Sequence, residues 1–174
     1  MNVRWTQRNP RWTWLAAVAV LLFADQLSKS YFSTTLDLGE AIKVTEWFNF
    51  VHVLNTGAAF SLLADAGGWQ RWFFIGVTAL VVGVVSVVCL ARQAESLDRW
   101  VGAFVVGGGG GNLVDRVQIG AVVDFLDFHW RSIHWPAFNL ADVFIVCSML
   151  VWCFASLKSP PRSTLRKTPE ESPS

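Results

Sequence analysis

Carboxylates, amides and cations recur in this sequence inside stretches that are otherwise apolar. Asp25 and Lys29 stand at i and i+4, as do Asn112 and Arg116, while Asn139 and Asp142 stand at i and i+3. On a helix each such pair shares one face. Asp124 stands apart, in the run Val122-Val-Asp-Phe-Leu-Asp-Phe-His-Trp130, which is rich in β-branched and aromatic residues and reads as a strand. Two carboxylates that face one another cannot both ionise easily. One keeps its proton while the other activates a water, which is the chemistry that peptide hydrolysis needs. Asp124 and Asp142 are the candidates for such a pair. On spacing alone a plainer reading stays open, in which Asp124 caps a turn and Asp142 makes one hydrogen bond within an apolar helix.

Other chemistries fit less well. A serine–lysine pair would need a serine facing Lys29, and Ser28 points about 100° away around a helix; Ser61 stays open as a partner. His52, His129 and His134 include no helical i, i+4 pair and have no cysteine nearby, so they read as sheet or interface residues and no metal site is expected. Cys89, Cys147 and Cys153 read as small buried side chains, with neither a disulfide nor a metal.

The elements that must position these groups are membrane helices. Of 174 residues, 53% are hydrophobic and 16% charged, and four long apolar stretches cover 12–32, 69–91, 100–117 and 137–157. Each approaches the roughly 20 residues that a helix needs to cross about 30 Å of hydrocarbon. No cleavage site of small residues follows the first stretch, so it reads as a retained helix and not as a signal peptide. Cations set the orientation. Arg4, Arg8 and Arg11, then Arg92 and Arg99, then Lys158, Arg162, Arg166 and Lys167 lie at one side of the spans, which puts both termini in the cytoplasm. Segments 33–68 and 118–135 then lie outside, and every polar group named above falls toward the outer leaflet. A near-neutral net charge of +1 gives no reason to expect a nucleic acid partner.

In the first outer segment Ile42, Val44, Phe48, Phe50 and His52 alternate, which predicts a short antiparallel sheet over about 37–63, with 121–130 as a further strand. Residues 1–158 form one membrane unit. The stretch 159–174, rich in proline, serine and charge, is expected to be a disordered cytoplasmic tail. A transporter is the main rival, but an ion route would need ionisable groups in the cytoplasmic half as well, and spans two and four offer none there.

Taken together, the polar positions resemble the lipoprotein signal peptidases, or signal peptidase II. The matching pieces are Asp25-Gln-Leu-Ser-Lys29, Asn55-Thr-Gly-Ala-Ala-Phe-Ser61, Gly111-Asn-Leu-Val-Asp-Arg116, Val122-Val-Asp-Phe125 and Pro136-Ala-Phe-Asn-Leu-Ala-Asp142, in the family's order and spacing. The resemblance implies an all-α membrane bundle of four transmembrane helices with a small extracytoplasmic antiparallel β-cradle and a short helix at the membrane surface. It implies an aspartic endopeptidase of the bacterial inner membrane that cuts prolipoproteins just before a cysteine already carrying diacylglycerol. Asp124 and Asp142 match the catalytic aspartates. Asp25, Lys29, Asn55, Asn112, Arg116 and Asn139 match residues that support the site or hold substrate. No metal or organic cofactor is implied; membrane lipid and globomycin-type inhibitors are expected partners. One departure is the unbroken run Gly107–Gly111, where the family's motif reads Gly-Gly, two variable or small residues, then Gly-Asn. Glycine costs a helix about 1 kcal/mol relative to alanine, so a locally weak helix or unusually close packing is expected there.

Overall fold

The computed structural model describes residues 10–57, 68–91 and 96–158, which form four helices and one small sheet. The helices are α1 (Pro10–Thr35), α2 (Trp69–Leu90), α3 (Ser96–Gln118) and α4 (Leu140–Lys158). By length and composition three of them, α1, α2 and α4, suit a bilayer span. Their outward side chains agree: Leu80, Val84, Val87 and Val88 of α2, and Val146, Leu150, Val151 and Phe154 of α4, are all exposed. In water such faces would be aggregation sites, whereas in lipid they are already solvated. Cys89 is buried as expected, but Cys147 and Cys153 sit on this outer surface of α4. A span need not bury a small apolar residue in protein, because lipid serves it as well.

The third helix is less apolar than the other three, and its position explains why. It packs against each of the others, and the glycine run is the means. A Cβ at Gly107 would lie 2.7 Å from Leu21 Cβ of α1, and one at Gly108 would lie 2.6 Å from the Ala141 carbonyl oxygen of α4. At Gly109 it would meet Val82 of α2, and at Gly111 the Asp25 carboxylate. Successive glycines therefore face different neighbours around one turn. Close packing is the outcome of the two readings: the helix is continuous from 96 to 118, and what it loses in intrinsic propensity is offset by backbone approach on three sides. A small core of Trp14, Cys89, Ala103 and Val106 closes the opposite end of the bundle.

Four antiparallel strands follow the order β1 (Ala41–Lys43), β2 (Phe48–Asn55), β3 (Val122–Trp130), β4 (Ile133–His134). The expected sheet is present, with a bulge between Phe50 and Val53; residues 58–63 of its expected extent lie outside the described residues, as does the tail from 159. No separate surface helix occurs among the described residues. The sheet is fastened to the bundle by aromatic stacking, since Phe32 near the end of α1 lies 4.6 Å from Phe50 and 4.5 Å from Phe125, centroid to centroid. A second fastening matters more for the site. Phe138, just ahead of α4, pairs with Leu126 of β3: its carbonyl accepts from the Phe125 and Leu126 N–H groups at 3.1 and 2.9 Å, and its own N–H donates to Leu126 at 3.1 Å. The strand carrying Asp124 is thereby zipped to the segment that begins α4.

Candidate active site

Asp142 is the third residue of α4, and Asn139 immediately precedes that helix. The sequence placed Asn139 within the first turns of a span opening at 137; the structure makes it the cap. The Asn139 side-chain oxygen accepts from the Asp142 N–H at 3.1 Å, and the Asp142 carboxylate accepts from the Asn139 N–H at 3.2 Å. This reciprocal pair is a capping box with aspartate in the usual glutamate place. Asp25 of α1 supplies the next cap, accepting from the Ala141 N–H at 2.9 Å. Free amides at a helix start need acceptors, and here they fix two functional side chains while being satisfied.

Asp124 approaches from the strand side. It is almost completely buried, and both its oxygens accept side-chain amides: one from Asn139 at 2.6 Å, the other from Asn55 at 3.0 Å. Asn55 also closes a turn, its oxygen accepting from the Gly57 N–H at 2.8 Å, so the turn residue and the site residue are one and the same. Burial pushes the Asp124 carboxyl up to about 6, the nearby Asp142 charge adds to that rise, and the Asn55 and Asn139 hydrogen bonds hold it down.

Beneath the two aspartates lies a closed polar network. Lys29 Nζ reaches Asn112 at 2.7 Å, Asp25 at 2.8 Å and Asp115 at 2.9 Å. An ammonium has three protons, and three acceptors take them. Because Lys29 can only donate, the Asn112 oxygen must face it, and the Asn112 amide then points to Asp142, donating at 2.9 Å. The same Asn112 oxygen receives the second Asn139 amide proton at 3.2 Å. Asp115 and Gln26 complete the network. Gln26 donates to Asp115 at 2.8 Å and to the Gly111 carbonyl at 3.1 Å, while Asp115 accepts from the Val123 N–H at 3.2 Å and so ties α3 to the start of β3. Asp115 is one of the polar groups that the sequence places at the outward end of the third span, though outside the matched site residues, and Gln26 carries no such signal, although both lie within the matching pieces.

Arg116 borders the same region. Its guanidinium donates to the Asn112 carbonyl at 3.2 Å, lies 5.3 Å from the Phe74 ring, and interacts electrostatically with Asp142 and Asp124. Its Nε is buried with no acceptor among the described residues. The structure therefore gathers Asp25, Lys29, Asn55, Asn112, Arg116, Asp124, Asn139 and Asp142 at one end of the bundle, under the sheet. Ser61 lies outside the described residues.

A family model described as signal peptidase (SPase) II matches residues 17–158. The chain belongs to the signal peptidase II family. Among curated relatives, the lipoprotein signal peptidase of Shewanella amazonensis is 45% identical, over 91% of this chain and 94% of its own. That of Tolumonas auensis is 49% identical, over 79% and 84%. A solved structure of a bacterial membrane enzyme at 26% identity matches with a TM-score of 0.72, covering 92% of this chain and 94% of its own. As a signal peptidase II the protein is a membrane-embedded hydrolase of peptide bonds, of the aspartic class.

Proposed function

We propose that the chain cleaves bacterial prolipoproteins just before a cysteine that carries diacylglycerol, with Asp124 and Asp142 as the water-activating pair. The observation that carries this reading is Asn139, whose side-chain amide donates to Asp124 and whose backbone amide donates to Asp142. One residue thus holds both carboxylates in a single site. Asp142 takes a proton from water as the hydroxide adds to the scissile carbonyl carbon. Asp124, the more buried carboxyl and the readier to keep its proton, donates to the carbonyl oxygen. Collapse of the resulting diol breaks the C–N bond and returns a proton to the leaving amine.

Asn55, Asn112 and Asn139 orient the pair. Asp25 and Lys29 support it from below, and with all three ammonium protons engaged Lys29 takes no chemical step. Arg116, whose guanidinium interacts electrostatically with both aspartates, is assigned to substrate. Relatives that carry the name lipoprotein signal peptidase support the choice of substrate class. Globomycin-type cyclic peptides are expected to inhibit.

The same reading makes α3 a fourth span. Its 23 residues extend about 35 Å at 1.5 Å each, and its Asn112 and Asp115 side chains are buried against the other helices. The cation distribution puts both termini in the cytoplasm and the site at the outer leaflet of the inner membrane.

Replacement of each aspartate tests the pair. Asp124→Asn and Asp142→Asn each retain shape but supply neither a base nor an acid, so cleavage should fall by roughly 10²–10⁴-fold or more, with folding and insertion verified by melting in detergent. Near-normal turnover by either folded variant would remove that residue from the chemistry and turn the search to Ser61 and Lys29.

A further inference from the structure

Away from the aspartates, the outer edge of the sheet brings together three groups that no step above uses. Asp127 and His129 stand two apart on β3 and so point to one face, and His134 of β4 is the cross-strand partner of His129. The two imidazoles stack, with centroids 4.9 Å apart and planes at 15°. His134 Nδ1 lies 2.9 Å from one Asp127 oxygen and His129 Nδ1 lies 3.9 Å from the other. One ligand atom from each of the three falls within 4.8 Å of the others.

We propose that Asp127, His129 and His134 form a binding site for a divalent transition metal of the zinc class, which clips β4 to β3. Two imidazole nitrogens and one carboxylate oxygen, with a fourth position open to water, are a donor set suited to that ion. Asn49 prepares it. Its amide donates to Asp127 at 2.9 Å, and a carboxylate partner fixes which end of the amide faces inward. The same amide nitrogen lies 3.4 Å from His129 Nδ1, which makes that nitrogen an unprotonated acceptor, and a metal takes its single lone pair in place of this long contact. Access is also present, since the His134 side chain is 53% exposed while those of Asp127 and His129 are mostly enclosed.

A clip has mechanical purpose at this edge. The strand β4 has only two residues, and the turn before it holds Arg131 in the left-handed region at φ 57° without the freedom of a glycine. So short a hairpin is marginal by itself. The metal is thus structural, and the peptidase dyad does not depend on it.

Tag-free protein in detergent micelles, stripped with a chelator, would be titrated with Zn2+ against a chromophoric competitor and melted with and without the ion. One equivalent should bind, with a rise in melting temperature. His134→Gln and Asp127→Asn should weaken binding by roughly tenfold or more and abolish the rise, whereas His52→Gln should change neither; His52 is engaged elsewhere, with Nδ1 2.9 Å from the Leu36 carbonyl. Metal-free melting of each variant alongside metal-free wild type controls for folding. Equal zinc binding by wild type and the His134→Gln variant, or no zinc-dependent rise in wild type, would overturn the site. Loss of all cleavage on chelation would overturn its structural assignment.

Discussion

At the scale of single residues, hydrogen bonds assign directions to the amides of the site. Lys29 can only donate, so Asn112 must present its oxygen to it and its amide to Asp142. Asn55 is the cleanest lever on the chemistry, because its bond to Asp124 favours the charged form. With the Asp124 carboxyl near 6 and required as an acid, kcat/KM of the free enzyme should decline above about pH 6. The corresponding limb in kcat should lie higher, since bound substrate strips water from the carboxyl and penalises its charge further. Removing the stabilising donor raises the carboxyl again, so Asn55→Ala should move the alkaline limb upward in a pH-rate series. A limb that moves downward would contradict the role given to Asp124. Sequence made most of these residues visible because charged and amide groups inside apolar runs are rare and costly. The Asp127, His129 and His134 cluster was invisible for an instructive reason. The two histidines are five apart in the chain, off any shared helical face, and the groups meet across a strand register that only the fold supplies.

Among elements, α3 decides the architecture. The sequence signalled a departure at Gly107–Gly111 and left two readings of it. What separates them is which neighbour each glycine faces, a property of the packed bundle that no linear pattern contains. Gly108→Ala sets a methyl group against the Ala141 carbonyl at 2.6 Å, and backbone cannot yield as a side chain can. It should cost about 1–3 kcal/mol by overpacking, read as a lower melting temperature in micelles, and should weaken cleavage because Asp142 follows Ala141. Gly83→Ala on α2 meets nothing within 4 Å and should be neutral or stabilising by up to about 1 kcal/mol. Equal melting of the two variants would mean that α3 and α4 are not in backbone contact. The sheet was legible from the alternation of Ile42 to His52, and its third strand from the run around Asp124. The pairing of Phe138 with Leu126 was not, although it is the contact that brings Asp124 to Asn139.

For the whole molecule, the polar groups share one end of the bundle, and the orientation of that end determines what can reach them. Cysteine placed at Lys43 or at Glu95, in a background lacking Cys89, Cys147 and Cys153, would report it through an impermeant thiol reagent. Labelling from outside at 43 and not at 95 is expected, and the reverse would invert the topology. Of the four stretches that the sequence offers as spans, α1, α2 and α4 are long and apolar enough to cross a bilayer; α3, packed against all three, has less need of apolar side chains, and is the span proposed above. In the proposed orientation, a site level with the sheet suits a scissile bond held at the headgroup plane by an acyl anchor. The most direct test of that claim is a side-by-side assay of purified protein in lipid with a diacylglyceryl-modified prolipoprotein and the same prolipoprotein unmodified. Cleavage just before the modified cysteine, with little or none of the unmodified chain, is the predicted result; equal turnover of the two would contradict it.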